Sequence, residues 1–304
     1  MSLDFGRCPG SAQVALDTAL CSRCGLCLRV CKEGPLVQSE PHGPLRVDLT
    51  RGFGCIGCGQ CVAVCPRGAL SVAGRDFGPD DVIPLPPREN RATWEQLHNL
   101  SLARRSIRDY RDTPVSREDL DRILQTASTA PMGISPSEVH VSVFPTRESV
   151  QGLTTDLLGA ARIWRKYWLH PLSLRLLYPW LGREGYHTMK DFVRPVIEAY
   201  LEADEKGEDL WFYGAPCALY FSGSTCSDDA DPTIAATYAM LAAEALGLGS
   251  IMLGFPSYFF RYNARLREKY GIPKHRTGLM LALGHPTVTY SHAIRRRFAG
   301  VTYP

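Results

Sequence analysis

Apolar residues recur at Leu120, Ile123, Leu124 and Ala127, three and four positions apart, which predicts one buried face of a helix. Ser116, three residues ahead of Asp119, reads as its capping box. Val139-His-Val-Ser-Val143 alternates with period two, the pattern of a strand. Ala215 to Ser222, Ser250 to Leu253 and Leu279 to Leu283 are short apolar runs that predict further strands. Asp231-Pro232 opens a helix through Ala235, Ala236, Ala239, Met240 and Ala243 that stops at Leu246-Gly247. Its small side chains allow close helix approach. Residues 145–213 are aromatic-rich and punctuated by prolines, and predict helices and a loop without a clear period. The whole predicts an α+β or three-layer domain, without the repeat of a doubly wound sheet.

The first quarter of the chain reads differently. Residues 32–54 hold Gly34-Pro35, Pro41, Gly43-Pro44 and Gly52, with Leu45-Arg-Val-Asp-Leu49 the one strand-like stretch. Gly68-Ala-Leu-Ser-Val72 predicts a closing strand. So little apolar material needs another source of stability. Residues 78–87, Gly-Pro-Asp-Asp-Val-Ile-Pro-Leu-Pro-Pro, read as a proline-stiffened linker. The expected organisation is a small domain over 1–78, a linker over 79–87 and a larger domain over 88–304.

Composition narrows the class. With 304 residues, 45% hydrophobic and 21% charged, the chain is of soluble globular type. A net charge of +3 is too small and scattered for nucleic-acid binding. The start lacks the pattern of a signal peptide, and no apolar run reaches the roughly 18 residues of a membrane span. Trp168 to Trp180 comes nearest, broken by His170, Pro171, Arg175 and Pro179; an interfacial helix is the alternative reading there. A cytoplasmic protein is expected.

The cysteines bring in chemistry. Cys21, Cys24, Cys27 and Cys31 follow C-x2-C-x2-C-x3-C, and Cys55, Cys58, Cys61 and Cys65 repeat it before Pro66. That spacing gives three thiolates to one cubane iron–sulfur cluster and a fourth to its neighbour. Two [4Fe–4S] clusters are expected, one on Cys21, Cys24, Cys27 and Cys65, the other on Cys55, Cys58, Cys61 and Cys31. Structural zinc usually uses paired knuckles instead, and clustered cysteines without a signal argue against disulfides. Cys217 and Cys226 read as small buried hydrophobes, and Cys8 has no partner spacing. The metal–thiolate bonds would supply the stability that the small domain lacks.

Arg104, Arg105 and Arg108 surround Ser106. Guanidinium forks match phosphate oxygens, although a solvated basic helix end has the same composition. This segment is followed in order by Ala130-Pro-Met-Gly-Ile-Ser135, Ala243-Glu-Ala-Leu-Gly-Leu-Gly-Ser-Ile-Met-Leu-Gly254, Leu283-Gly284-His-Pro and Arg295-Arg296-Arg297. The set resembles the nitroreductase family of flavin enzymes, in particular members with an N-terminal two-cluster ferredoxin domain.

The resemblance implies a homodimeric α+β, nitroreductase-like three-layer domain behind a small bacterial-type ferredoxin domain, with FMN at the subunit interface. Arg104 and Ser106 would meet the FMN phosphate and ribityl, with Arg105 beside them, and Arg108 the pyrimidine edge. Pro131, Met132, Gly133 and Ser135 would approach the ring from the other subunit, and Leu253-Gly254 its N5 side. Arg295 or Arg297 would complete the phosphate clamp. Tyr186 and His187 are candidate proton donors. Trp211-Phe-Tyr-Gly-Ala-Pro216 reads as structural.

The implied function is an oxidoreductase relay, from reduced ferredoxin or a similar low-potential donor through the clusters to FMN. The final acceptor would be a small electron-poor compound: a nitro compound, a quinone or an activated C=C bond. Reductive dehalogenation and a non-catalytic electron-transfer adaptor are the alternatives. Two departures bear on this. Ser135, Pro136, Ser137, Glu138 and Val139 replace the family's Asn and Gln-Pro-Trp, and the 145–213 segment is longer than in minimal members.

Overall fold

The computed structural model describes residues 12–32, 34–52, 54–74, 77–133, 138–224, 227–275 and 277–304. Ser135, Cys8 and Cys226 lie outside the described residues. The chain divides into two compact units: Met1–Arg91 with Met132–Glu138 and Thr225–Asp231, and Ala92–Pro131 with Val139–Ser224 and Pro232–Pro304.

The first unit contains β1 (Gln13–Leu16), α1 (Leu26–Val30), β2 (Leu36–Gln38), β3 (Leu45–Val47), α2 (Gln60–Ala63) and β4 (Leu70–Ala73). β1 pairs antiparallel with β4, Val14 opposite Val72, and β2 pairs antiparallel with β3. Gly25 and Gly59 open the two short helices at φ 72° and 68°, a left-handed conformation that glycine adopts without a Cβ penalty. They occupy equivalent places in the two cysteine runs, so the internal repeat is structural as well as sequential. The core is thin: Ala12, Val14, Leu36, Leu45, Leu70 and Val72 pack around Cys27 and Cys61. Single 3-10 turns at Pro79–Asp81 and Arg88–Asn90 punctuate the proline-rich stretch.

The second unit contains α3 (Trp94–Ala103), α4 (Arg117–Ser128), β5 (Val139–Phe144), α5 (Arg147–Ile163), α6 (Pro171–Thr188) and α7 (Arg194–Glu205). It continues with β6 (Cys217–Gly223), α8 (Asp231–Ala245), β7 (Gly249–Leu253), α9 (Phe255–Tyr262), α10 (Ala264–Lys269) and β8 (Gly278–Gly284). The strands form one antiparallel sheet in the order β5-β6-β8-β7. All seven residues of β6 are buried, so both faces of the sheet are covered there. α5 packs on β5 and β6, and α9 on β8.

Local chemistry explains the element ends. The Ser116 side chain accepts the Asp119 N–H at 3.0 Å and caps α4, whose Leu120, Ile123 and Ala127 face inward. Thr146 caps α5 through the Ser149 N–H at 3.2 Å. Between β5 and β6 the chain is helical but irregular as far as Glu205, and a turn-rich loop over 206–216 then leads into β6. Five-residue π turns at Trp164–Trp168 and Met189–Val193 interrupt the helical stretch, and α6 kinks at Gly182, where φ is 67°.

Candidate functional site

In the first unit, Cys21, Cys24, Cys27 and Cys65 line one cavity of about 360 Å³. Cys31, Cys55, Cys58 and Cys61 line a second of about 350 Å³. Each therefore takes three thiols from one run and the last thiol of the other. Exposure follows the repeat: Cys24 and Cys58 are exposed, Cys27 and Cys61 are buried, and the rest are intermediate. No disulfide joins the described cysteines. Among the described residues, no three Cys, His, Asp or Glu side chains gather closely enough for a single metal ion.

The electrostatics follow the same grouping. Burial pushes the Cys61 thiol up to about 12, and charges on Cys31, Cys55 and Cys58 add to the effect. Burial also raises Cys31, with Cys58 and Cys55 contributing. Burial raises Cys27, reinforced by Cys24 and Cys21. Exposed Cys24 goes the other way, lowered by hydrogen bonds from the Leu26 backbone and the Ser22 side chain. Four thiolates in one half-buried cavity repel one another, and metal cations remove that repulsion.

The walls leave little freedom. A Cβ on Gly34 would overlap Cys31 Sγ. One on Gly59 would meet the Phe77 ring at 2.7 Å. The Ala69 N–H donates to Cys65 Sγ at 3.3 Å, and such N–H···S bonds hold a thiolate in place and tune the potential of a cluster. The donor set, four thiols converging on each cavity, is that of a multi-atom iron–sulfur cluster.

In the second unit, the basic segment is stitched along the β7 edge of the sheet. Ser106 bridges Ser250 in parallel, and the Ile107 N–H donates to the Ser250 carbonyl at 3.0 Å. The Arg111 N–H reaches the His285 carbonyl at 2.8 Å just beyond β8. Gly249 makes this possible, because a Cβ there would lie 2.5 Å from Ile107 Cγ1. Backbone hydrogen bonds thus fix where the arginines stand.

Arg104 is half-buried at the end of α3. Its pKa is lowered by burial, then by the positive charges of Arg296 and Arg105, with Glu244 opposing. Glu244 is raised by burial, while Arg104 and Arg105 pull it down. Three guanidinium groups against one carboxylate is an uncompensated positive cluster, and a phosphate dianion suits it. Arg105 donates to the Arg104 carbonyl at 2.8 Å and to the His292 carbonyl at 3.4 Å, tying the C-terminal tail to this segment. A cleft of about 670 Å³ opens alongside, lined in part by Arg105, Glu244, Gly247 and Tyr290.

The other positions named from sequence scatter around these. Arg108 lies over the Tyr213 ring, 5.9 Å from its centroid. Asp209 builds the turn that presents Tyr213, accepting N–H groups from Trp211, Phe212 and Gly214 at 2.9, 3.0 and 3.0 Å. Leu253 ends β7 and Gly254 precedes α9, with open space where a Gly254 Cβ would stand. Pro131 belongs to the second unit, and Met132 and Gly133 to the first. The Gly133 N–H is held at 3.0 Å by buried Asp231, which also accepts the Asp228 N–H at 2.9 Å.

Arg295 and Arg297 lie exposed along the tail, and Arg296 between them is the one whose charge bears on Arg104. Three successive arginines carry no signal that singles out the middle one. Glu244 likewise carries no sequence signal, since an acid on a helix of small residues reads as a solvated position. Tyr186 packs against the core and edge-on to Tyr178 at 5.4 Å. His187 is exposed and bonds Asp191 at 2.8 Å across one helical turn.

Residues 102–285 match the nitroreductase family, a span that includes Arg104 to Arg108, Leu253, Gly254 and the whole four-stranded sheet. The chain belongs to the nitroreductase family. In this family member, residues 20–70, with all eight clustered cysteines, match a 4Fe-4S dicluster domain. It is 29% identical over 184 residues to an FMN reductase (NAD(P)H) of Bacillus subtilis strain 168, a match covering 60% of this chain and 62% of that relative. Its fold is similar to a nitroreductase with bound FMN from Desulfitobacterium hafniense DCB-2, with TM-score 0.50 and 22% identity over 68% of this chain and 97% of that one. A nitroreductase with bound FMN from Bacteroides fragilis NCTC 9343 gives TM-score 0.51 and 19% identity over 69% and 98%. The nitroreductase-like α+β fold, preceded by a ferredoxin-type domain, is thereby established.

Proposed function

We propose that this nitroreductase-family protein is an iron–sulfur flavoprotein oxidoreductase. It takes electrons from a low-potential donor such as reduced ferredoxin and reduces a small electron-poor organic acceptor, either a nitro compound, a quinone or an activated C=C bond. Its cofactors are FMN and two [4Fe–4S] clusters, and it works as a homodimer through the flavin domain. When bound, the clusters carry single electrons and the flavin converts single-electron input into two-electron reduction.

The chain's own residues divide the work. Arg104, Arg105 and Arg296 would hold the FMN phosphate, and Glu244 balances part of their charge. Ser106, fixed beside Ser250, adds a hydroxyl at the same place. Arg108 supplies positive charge, and Tyr213 limits where its guanidinium can swing. Leu253-Gly254 would face the flavin ring, with open space beside Gly254. The eight thiolates hold the clusters, and burial of Cys27 and Cys61 keeps water from one side of each.

The single observation that supports this most is the exchange of Cys31 and Cys65 between the two thiol cavities, in a chain whose other unit is of nitroreductase type. An anaerobic screen of acceptors with dithionite-reduced ferredoxin, followed by product identification, tests it. Turnover of a small acceptor by protein carrying iron and FMN is expected. Stoichiometric zinc with negligible iron, or no turnover with any acceptor class, overturns it.

A further inference from the structure

We propose that the outer face of α6 and the turn before it seats this protein on an anionic lipid surface. α6 presents two opposed apolar faces. Leu174 is buried in the core, and Leu181 packs against it. Leu172, Leu176 and Trp180, spaced four residues apart, form a stripe on the other side and are 66%, 74% and 81% exposed. The preceding π turn adds Tyr167 and Trp168, each 57% exposed, and Ile163 adds 55%. Large apolar side chains contiguous on a surface mark an interaction site, whereas scattered single ones do not.

Charge decides the partner. From Leu157 to Arg183 the sequence has no Asp or Glu, yet it carries Arg162, Arg165, Lys166, Arg175 and Arg183. Arg162 is engaged by Asp204 at 2.6 Å. Arg165, Arg175 and Arg183 have no ion-pair partner among the described residues. Trp, Tyr and Leu on one helix face, flanked by uncompensated cations, are what a helix lying in an anionic headgroup layer requires. A second copy meeting this face across a two-fold axis would set like charges against one another.

The geometry suits a helix that lies in the surface plane. Its core-facing side anchors the helix to the protein. The Gly182 kink ends the stripe just after Trp180. No described helix is long and apolar enough to cross a membrane.

Flotation of the full chain, loaded with its cofactors, tests the proposal with mixed phosphatidylcholine–phosphatidylglycerol vesicles against pure phosphatidylcholine. Binding to the mixed vesicles is expected, at least about tenfold weaker on the neutral ones and reversed by salt. A Leu172→Ser, Leu176→Ser, Trp180→Ser variant should lose binding by about tenfold or more. These positions are solvent-exposed, and circular dichroism checks that the variant folds. Independently, brominated lipid should quench tryptophan emission of the unsubstituted chain, and Trp180→Phe should remove part of that quenching. Three results overturn the proposal: no flotation with mixed vesicles, equal binding to both vesicle types, or no vesicle binding together with dissociation of a dimer by the triple substitution. The last would assign the face to a second copy.

Discussion

Cys31 closes the first cysteine run, yet it shares a cavity with Cys58 of the second, close enough for the two thiolates to repel. Cys31→Ala should therefore remove iron from the cavity of Cys55, Cys58 and Cys61. About half of the eight irons expected for two cubanes should be lost, with the signals of one cluster disappearing from the electron paramagnetic resonance spectrum. Gly34→Ala should do the same without touching a ligand, because its Cβ would overlap Cys31 Sγ.

Removing one arm of the positive cluster should separate flavin from iron. Arg104→Ala and Arg296→Ala are each expected to weaken FMN retention about tenfold to a hundredfold, the worth of a charge-assisted hydrogen bond. Iron content should stay unchanged. Arg295→Ala and Arg297→Ala should have much smaller effects on FMN binding by fluorescence titration. Equal loss from all three tail variants would show that only net charge matters.

Gly249→Ala tests whether the basic segment depends on close approach to β7. The added methyl would press on Ile107 at 2.5 Å, and overpacking of this kind costs about 1–3 kcal/mol. A Tm lower by several degrees is expected in a thermal melt, together with weaker FMN binding. Gly152→Ala, with nothing within 4 Å of its Cβ, is the matched control.

The buried pair of Tyr220 and His275, 2.8 Å apart, predicts an acid-sensitive fold. Burial lowers the His275 pKa, a backbone hydrogen bond to Pro273 opposes this, and Arg267 and Arg261 reinforce it. The unfolded chain then binds the proton more readily than the folded one. Stability from this group is complete above the unfolded value of about 6.5 and falls as pH drops through the folded value. Melts across this range should show Tm declining below about pH 6.5, and His275→Gln should flatten that part of the curve.

Local features of this fold are legible in the sequence. The cysteine spacing, the α4 face of Leu120, Ile123 and Ala127, and the existence of β5 are each written within a dozen residues, although in β5 Ser142 and Phe144 turn inward and Val143 outward. Between β5 and β6 no single apolar period survives, for a physical reason. Leu174 and Leu181 turn inward while Leu172, Leu176 and Trp180 turn outward, so α6 is apolar on both sides and its period disappears. The π turns at Trp164–Trp168 and Met189–Val193 shift the helical phase again. Strand order rests on pairings tens of residues apart, and the docking of Ile107 on Ser250 and the choice of Arg296 over its neighbours on residues more than a hundred positions apart. No local pattern encodes them.

The exchange of Cys31 and Cys65 also governs how the molecule can be made. Neither half of the N-terminal unit owns a complete cage, and Cys27 and Cys61 are already sealed inside the thin core. Each cage is therefore complete only when both halves of the unit are in place. Folding of the N-terminal unit and assembly of its electron-carrying end are thus linked rather than independent processes.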